Sequence, residues 1–251
     1  MVRHRHDNRL ERLRSSRHRG YRGRVRGLSR RIHYLPFRPM NATQRKAATG
    51  GLGSPSKMPG KSYGIPAAAC KLGAILAKKE GTICASCYAT RGNYRYSSVQ
   101  TAQRRRLESM ADLARWSAAM VETIRAEVDP TDPYFRWHDS GDLQSVAHLG
   151  AIVRIARALP TIRFWLPTRE RGMIRDWLEL GLAIPRNLRI RVSANVVGRD
   201  TSILASWRRR GITTSSVDGD GYACPAPEQG NSCGDCRACW DPTARVSYHL
   251  H

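Results

Sequence analysis

From residue 97 onward, hydrophobic positions recur at intervals that distinguish helices from strands. Over residues 97–128 the apolar side chains lie at the three- to four-residue spacing of one helix face. These positions are Leu107, Met110, Ala114, Val121, Ile124 and Val128. An Asp-Pro pair follows at residues 129–130, which is a common end signal. The pattern predicts one long amphipathic helix that ends there.

Short apolar segments then alternate with helical ones. Strands are predicted over residues 134–138, 162–166 and 188–192, and helices over residues 146–159, 173–182 and 201–210. Strand–helix alternation at this spacing is typical of right-handed βαβ units, whose strands form a parallel sheet. The predicted fold class is therefore α/β with a parallel sheet at its centre.

Polar residues follow these strands, at the sheet edge where α/β proteins bind ligands. They are His138, Asp139, Ser140, Gly141 and Asp142 after the first strand, Thr168 and Arg169 after the second, and Ser193 and Asn195 after the third. Each one alone is typical of ordinary loop polarity. Three such clusters at one edge predict a functional site.

The composition divides the chain into three regions. Residues 1–62 are rich in Arg, Gly, Ser and Pro without sustained periodicity, which predicts a basic, mostly disordered arm. We expect order to begin near Tyr63, an α/β core over residues 63–215, and a cysteine-rich segment over residues 216–251.

The formal net charge is +23, and its distribution is uneven. Residues 1–39 alone carry thirteen arginines against two acids. Such a field attracts phosphate backbones of any sequence. The sequence from Met40 onward has the polar composition that is typical of a protein's N-terminus. The segment before Met40 is therefore either a nucleic-acid-binding arm or the product of an upstream start codon.

Several protein classes are disfavoured. No apolar run approaches the ~20 residues of a membrane helix, and the N-terminus has no apolar signal region, so a cytoplasmic location in the host cell is expected. The sequence also has no Ser/His/Asp triad pattern, no P-loop and no GxGxxG after a strand. Hydrolase, NTPase and dehydrogenase functions are therefore not favoured.

The seven cysteines fall into two groups and leave none over. The three-cysteine site comprises Cys70, Cys84 and Cys87, and the four-cysteine site comprises Cys224, Cys233, Cys236 and Cys239. An odd count cannot pair fully in disulfides, and thiols in a reducing compartment stay free. Clustering in Gly/Pro-rich loops is typical of metal ligands. The sequence predicts two metal sites.

The spacing favours iron–sulfur clusters over zinc. Two-residue gaps at Cys233, Cys236 and Cys239 are similar to ferredoxin-type runs that wrap a cubane, although a zinc ribbon is the alternative. Three thiolates at the other site leave one iron of a cubane open to a ligand. A zinc ion there needs a fourth ligand, for which His138 is a candidate.

Four segments carry a resemblance to a known family. They are CASCYA at residues 84–89, FRWHDSGD at residues 135–142, IRFWLPTR at residues 162–169 and LRIRVSAN at residues 188–195. Together they resemble the phage and plasmid family called gene product 88, over roughly residues 58–240. The chain also looks like a divergent relative of the radical S-adenosylmethionine (SAM) enzymes.

That resemblance implies a partial (β/α) barrel and specific ligand roles. Cys70, Cys84 and Cys87 would hold a [4Fe–4S] cluster whose open iron chelates SAM, and the four later cysteines would hold a second, auxiliary [4Fe–4S] cluster. Gly141 and Asp142 stand where the superfamily has an acidic turn for the SAM amino group. Ser193 and Asn195 stand near its ribose contacts. The thirteen-residue first gap is wider than the usual C-x3-C-x2-C, and Asp142 replaces the usual Glu.

Two functions follow. The first is a radical SAM-like enzyme that acts on a nucleic acid or nucleotide, with phosphate contacts from two arginine runs. The second is a non-catalytic nucleic-acid-binding protein that zinc or a cluster stabilises. The runs are Arg104, Arg105 and Arg106 on the first long helix, and Arg208, Arg209 and Arg210 on a later one. Either run can also be an ordinary solvated helix face.

Overall fold

A computed structural model describes residues 39–250. The predicted arm therefore lies, up to residue 38, outside the described residues. No helix between residues 39 and 250 is both long and apolar enough to span a membrane.

Seven parallel strands form one open sheet in the order β1-β2-β3-β4-β5-β7-β6. Their bounds are Lys61–Tyr63 (β1), Tyr134–Trp137 (β2), Arg163–Thr168 (β3), Leu188–Ser193 (β4), Ile212–Val217 (β5), Tyr222–Ala223 (β6) and Val246–Tyr248 (β7). The predicted α/β class with a parallel sheet is confirmed. The sheet does not close on itself.

Seven α-helices accompany the sheet in the described part of the chain. They are Ala42–Thr49 (α1), Lys71–Leu76 (α2), Ser97–Ser109 (α3), Leu113–Glu127 (α4), Val146–Ala158 (α5), Arg171–Glu179 (α6) and Ala205–Arg209 (α7). The prediction of a single helix over residues 97–128 is wrong, because the structure has two helices there, α3 and α4. Asp112 caps the second by accepting hydrogen bonds from the backbone N–H groups of Ala114 and Arg115, both at 3.0 Å.

The region before Tyr63 is more ordered than expected. The prediction of disorder through residue 62 is wrong for α1 and for the start of β1. A capping box begins α1, in which Asn41 and Gln44 each accept a hydrogen bond from the other's backbone N–H at 2.9 Å. This Asn-x-x-Gln signal was present in the sequence, but the apolar periodicity of the helix is weak.

The two faces of the sheet are covered differently. One face carries Phe135, Trp137 and Phe164, which belong to the same buried cluster as side chains of α4, α5 and α6. Alternate residues point to the other face. There, Trp240 packs against Tyr134 and Trp165, with ring centroids 5.0 and 5.4 Å away. The C-terminal segment therefore covers the second face.

The boundary expected between the core and a cysteine-rich segment at residue 215 does not exist. It falls inside β5, and both β6 and β7 extend the same sheet beyond it. The strand signal was missed because β5 consists largely of Thr and Ser, and because β6 and β7 contain only two and three residues. The four-cysteine segment is thus an integral part of the α/β unit.

Candidate functional site

The three-cysteine site lies on loops that are anchored to the carboxyl edge of the sheet. Cys70 begins α2, shortly after β1. The backbone N–H of Ile83 donates to the carbonyl of Asn195, just beyond β4, at 2.9 Å. The hydroxyl of Tyr88 donates to the carbonyl of Asp139, just beyond β2, at 2.6 Å. The loops therefore bring the cysteines to the predicted ligand edge.

The thiols of this site converge around a helical glycine. A Cβ atom at Gly73 would lie 3.5 Å from the Cys70 sulfur, 3.7 Å from the Cys84 sulfur and 2.9 Å from the Cys70 Cβ. The third thiol, of Cys87, lies close enough for its charge to affect the pKa values of both others. Glycine leaves open the space beside these two sulfur atoms, which the Cβ atom of any other residue would partly fill.

Burial favours the protonated form of two of these thiols, those of Cys70 and Cys84. Burial raises the pKa of Cys70 to about 12, and the nearby Asp142 carboxylate raises it further. Burial also raises the pKa of Cys84, while the guanidinium of Arg169 lowers it. All three cysteines are free and partly buried. Metal binding would therefore release protons, since thiolates are the ligands.

Replacing Gly73 with alanine tests this open space. Alanine is favoured over glycine in a helix by roughly 0.5–1 kcal/mol, so an inert position would gain stability. Here we expect no gain and a clear loss of bound metal, because the new methyl group would meet Cys70 at 2.9 Å. Gly172, near the start of α6, has nothing within 4 Å of its Cβ position and is the matched control. Metal analysis of both variants provides the measurement. Equal metal content in Gly73→Ala and Gly172→Ala would contradict the prediction.

Asp142 ties neighbouring strand ends together. Its carboxylate accepts hydrogen bonds from the Thr168 hydroxyl at 2.6 Å and from the backbone N–H groups of Leu143 and Arg169 at 2.7 and 2.9 Å. Burial nevertheless raises its pKa to about 6. A carboxylate has about four acceptor positions, so one remains for a ligand. A contact between Asp142 and a cofactor stays a prediction.

The other predicted cofactor contacts also have structural roles. Gly141 has a φ of 75°, and a Cβ there would lie 2.3 Å from the side chain of Ile65. The Ser193 hydroxyl accepts a hydrogen bond from Ser215 at 3.3 Å. Asn195 is exposed, and its carbonyl holds the cysteine loop. Their roles toward a cofactor stay predictions.

A pair of buried histidines behind this edge was not foreseen as a pair. His138 follows β2 with a φ of 53°, and no partner in residues 39–250 hydrogen-bonds to either of its ring nitrogens. Its ring centroid lies 5.5 Å from that of His148, which is also buried. Burial lowers the pKa of His148 to about 3 and that of His138 well below its usual value. Both imidazoles are therefore neutral.

The histidine pair predicts loss of stability in mild acid. Both folded pKa values lie below the unfolded value of 6.5, so the unfolded chain takes up protons first as the pH falls. The contribution of the two histidines to the free energy of unfolding is fully present above pH 6.5. Below that pH it falls by about 1.4 kcal/mol per pH unit for each histidine. Asparagine tolerates a positive φ, so His138→Asn is expected to reduce the slope between pH 6 and 5 by about that amount. Urea unfolding at several pH values measures the slope, and His249→Asn, at an exposed position, is the control. An unchanged slope in His138→Asn would contradict the prediction.

The four-cysteine site lies over the second face of the sheet. The Cys239 sulfur lies 3.3 Å from the Tyr248 hydroxyl, and the Cys236 sulfur 3.6 Å from the Tyr222 hydroxyl. The charges of Cys224 and Cys236 both affect the pKa of Cys233, and that of Cys224 affects the pKa of Cys239. The four thiols thus form one group.

Arginines surround this group with positive charge. Burial raises the pKa of Cys233, and it raises that of Cys239 to about 11. Arg136 and Arg237 lower the first in part, and Arg191 and Arg136 the second. Arg237 pairs with Asp132 at 3.4 Å. No carboxylate in the described part of the chain pairs with Arg136 or Arg191. The surroundings therefore suit a centre with net negative charge.

The free thiols do not form a ready-made site for one ion. Between residues 39 and 250, no group of three or more Cys, His, Asp or Glu side chains is spaced to hold a metal ion. Zinc binds thiolates at about 2.3 Å, so tetrahedral sulfur atoms lie roughly 3.8 Å apart. In a [4Fe–4S] cluster each thiolate binds a different iron, and the sulfur atoms lie farther apart. An all-sulfur donor set can ligate either centre, so the choice between zinc and a cluster stays a prediction.

Only part of each arginine run is available for a partner. Arg105 donates twice to the Gly50 carbonyl at 3.0 and 3.1 Å, and the buried Arg106 donates to the Gly51 carbonyl at 2.8 Å. Arg210 donates to the carbonyl of Leu178 at 2.8 Å. These three side chains contribute to the fold. Exposed guanidinium groups that can meet phosphate are those of Arg104, Arg208 and Arg209.

The sequence model of one family, described as gene product 88, matches residues 38–242. The matched region contains all seven cysteines and every strand except β7. No curated protein and no solved structure matches the chain.

Proposed function

Since the chain belongs to the gene product 88 family, whose matched region contains all seven cysteines, we propose that it is an iron–sulfur protein with radical SAM-like activity. One observation carries the proposal. Three free thiols converge at the carboxyl edge of an open parallel sheet, around the glycine that leaves space between two of them. This edge is where α/β proteins bind cofactors and substrates.

Each site would hold one cluster. Cys70, Cys84 and Cys87 would bind a [4Fe–4S] cluster through three thiolates and leave one iron open for SAM. When bound, this cluster supplies the electron for the reductive cleavage of SAM. The protein's own contribution is to position the ligands: Asp142, held at the same edge by its own hydrogen bonds, would accept from the SAM ammonium group.

The four-cysteine site would hold an auxiliary cluster, with zinc as the alternative. Four thiolates around either centre give it a net negative charge. Arg136 and Arg191 lie close enough to lower the pKa of Cys239, and their charge would stabilise such a centre. A fully ligated site would also add folding free energy to the segment that covers the sheet.

Anaerobic purification tests both assignments. We expect brown protein with iron and sulfide approaching two [4Fe–4S] clusters per chain. With a strong reductant, the loaded protein should convert SAM to 5′-deoxyadenosine and methionine, slowly even without a substrate. Stoichiometric zinc without visible absorption would overturn the iron–sulfur assignment.

A second candidate function is a cluster- or zinc-stabilised protein that binds nucleic acid without catalysis. The exposed Arg104, Arg208 and Arg209 and the net charge of +23 favour it. SAM turnover separates the two functions. A fully loaded protein whose EPR spectrum does not respond to SAM, and which forms no 5′-deoxyadenosine, would be such a binding protein.

A further inference from the structure

A cleft of about 650 Å³ lies beside the three-cysteine site, within the size range of small-molecule sites. One wall is formed by α3, and the other by the residues next to two of the cysteines. Ala69 directly precedes Cys70, and Ala89 follows Cys87 by two positions. A molecule in this cleft would therefore lie close to the cysteine loops.

The polar groups of the cleft are cationic or neutral. Its lining includes Arg95 and Arg104 but no acidic residue. Arg104 is exposed and has one weak hydrogen bond, to the Thr101 hydroxyl at 3.3 Å. Arg95 is also exposed and has no ion pair within residues 39–250. Two unneutralised guanidinium groups at the rim favour a ligand with phosphate.

Two further polar residues of the lining, Gln103 and Tyr94, are held in place by hydrogen bonds to the loop after β2. The amide of the buried Gln103 donates to the Ser140 hydroxyl at 2.7 Å, and that hydroxyl donates to the carbonyl of Ile65 at 2.7 Å. The hydroxyl of Tyr94 donates to the carbonyl of Asp139 at 3.2 Å. A fixed aromatic ring and a fixed amide beside two arginines match the needs of a planar base that carries a phosphate.

We propose that this cleft binds a nucleotide unit, with its phosphate on Arg95 and Arg104 and its base at Tyr94 and Gln103. The inference rests on the proposed function for the reaction that would follow, but binding itself requires only the cleft. The nucleotide unit has two sources, a free nucleoside monophosphate and a single-stranded oligonucleotide. Both present a phosphate, a pentose sugar and a base.

Equilibrium binding to the full-length chain tests the proposal, with each probe measured before and after cluster loading. The probes are adenosine monophosphate, adenosine without phosphate, and a short single-stranded DNA. We expect Arg95→Gln and Arg104→Gln each to weaken the phosphate-bearing probes roughly tenfold and to leave adenosine unaffected. The control is Arg125→Gln on α4, an exposed arginine that does not line the cleft and lies outside both arginine runs.

Salt dependence provides a second readout that folding defects do not imitate. For single-stranded DNA, each phosphate contact contributes about −0.7 to the slope of log affinity against log salt. The double variant Arg95→Gln/Arg104→Gln should therefore flatten the slope by about 1.4, whereas Arg125→Gln should not. Tighter binding of the oligonucleotide than of the monophosphate would identify a polynucleotide as the source, and the reverse would identify a free nucleotide.

Three results would overturn the proposal. The first is equal binding by wild type and both cleft variants. The second is a loss caused by Arg125→Gln alone. The third is a parallel loss of SAM binding in the cleft variants, which would assign the cleft to the cofactor. Binding is also measured on metal-free protein, so the two proposals can fail separately. If the chain does not load clusters but still binds the probes, the proposed function is wrong and the nucleotide site is supported.

Discussion

Replacing Arg191 with methionine is expected to lower the free energy of unfolding by roughly 3–5 kcal/mol, through the buried carbonyls that would lose their donor. The side chain is fully buried, and its donors reach five backbone carbonyls. These belong to Thr214, Ala238, Cys239, Asp241 and Ala244, at distances of 2.5–3.2 Å. A guanidinium group has five N–H donors, so its hydrogen-bonding capacity is fully used.

The size of the effect follows from the carbonyls that would lose their donor. Each unpaired buried acceptor costs about 1–3 kcal/mol, although such costs are not additive and water can satisfy some of them. Four of the five carbonyls belong to the segment that carries Cys239. Loss of Arg191 should therefore also loosen that segment over the sheet and lower metal content at the four-cysteine site.

Arg189 is the matched control, because it lies on the same strand and the same face. It donates to the Gly211 carbonyl at 2.8 Å and to the Arg186 carbonyl only at 3.5 Å. We expect Arg189→Met to cost about 1–2 kcal/mol, and Arg191→Lys, with three donors, to lie between the two methionine variants. Urea unfolding measures the differences. Equal midpoints for Arg191→Met and Arg189→Met would contradict the prediction.

The strands around Phe135, Phe164 and Ile190 were predictable because their buried face is apolar and flanked by clear helix signals. The second face was not predictable. Arg189 and Arg191 alternate with apolar residues, which usually indicates a solvent-exposed face. Here both arginines are buried. Carbonyls of the C-terminal segment accept from Arg191, whereas Arg189 donates to the carbonyl of Gly211. Contacts between segments so far apart in the chain leave no local pattern in the sequence.

The candidate site was predictable in its composition but not in its placement. The spacing of the cysteines identified two groups, and the structure brings the thiols of each group together. The hydrogen bond from Ile83 to Asn195 places the cysteine loop at the sheet edge and joins residues more than a hundred positions apart.

The two cysteine sites are expected to fail in different ways when one ligand is removed from each. Cys87→Ala should remove about half of the bound iron and sulfide and abolish 5′-deoxyadenosine formation. Its effect on the unfolding midpoint should be small, because Cys87 is partly buried in a loop whose anchors are Ile83 and Tyr88. Ser86→Ala, in the same turn, is the control and should retain both iron and activity.

Cys236→Ala should instead lower the unfolding midpoint together with the metal content. The metal at this site would link the loops that carry Cys224, Cys233 and Cys239, and its binding free energy would be folding free energy for the segment that covers the sheet. Metal analysis, absorption spectra and urea unfolding of both variants provide the measurements. Loss of metal from both sites after either single substitution would contradict two independent centres, because the seven thiols would then serve one shared site.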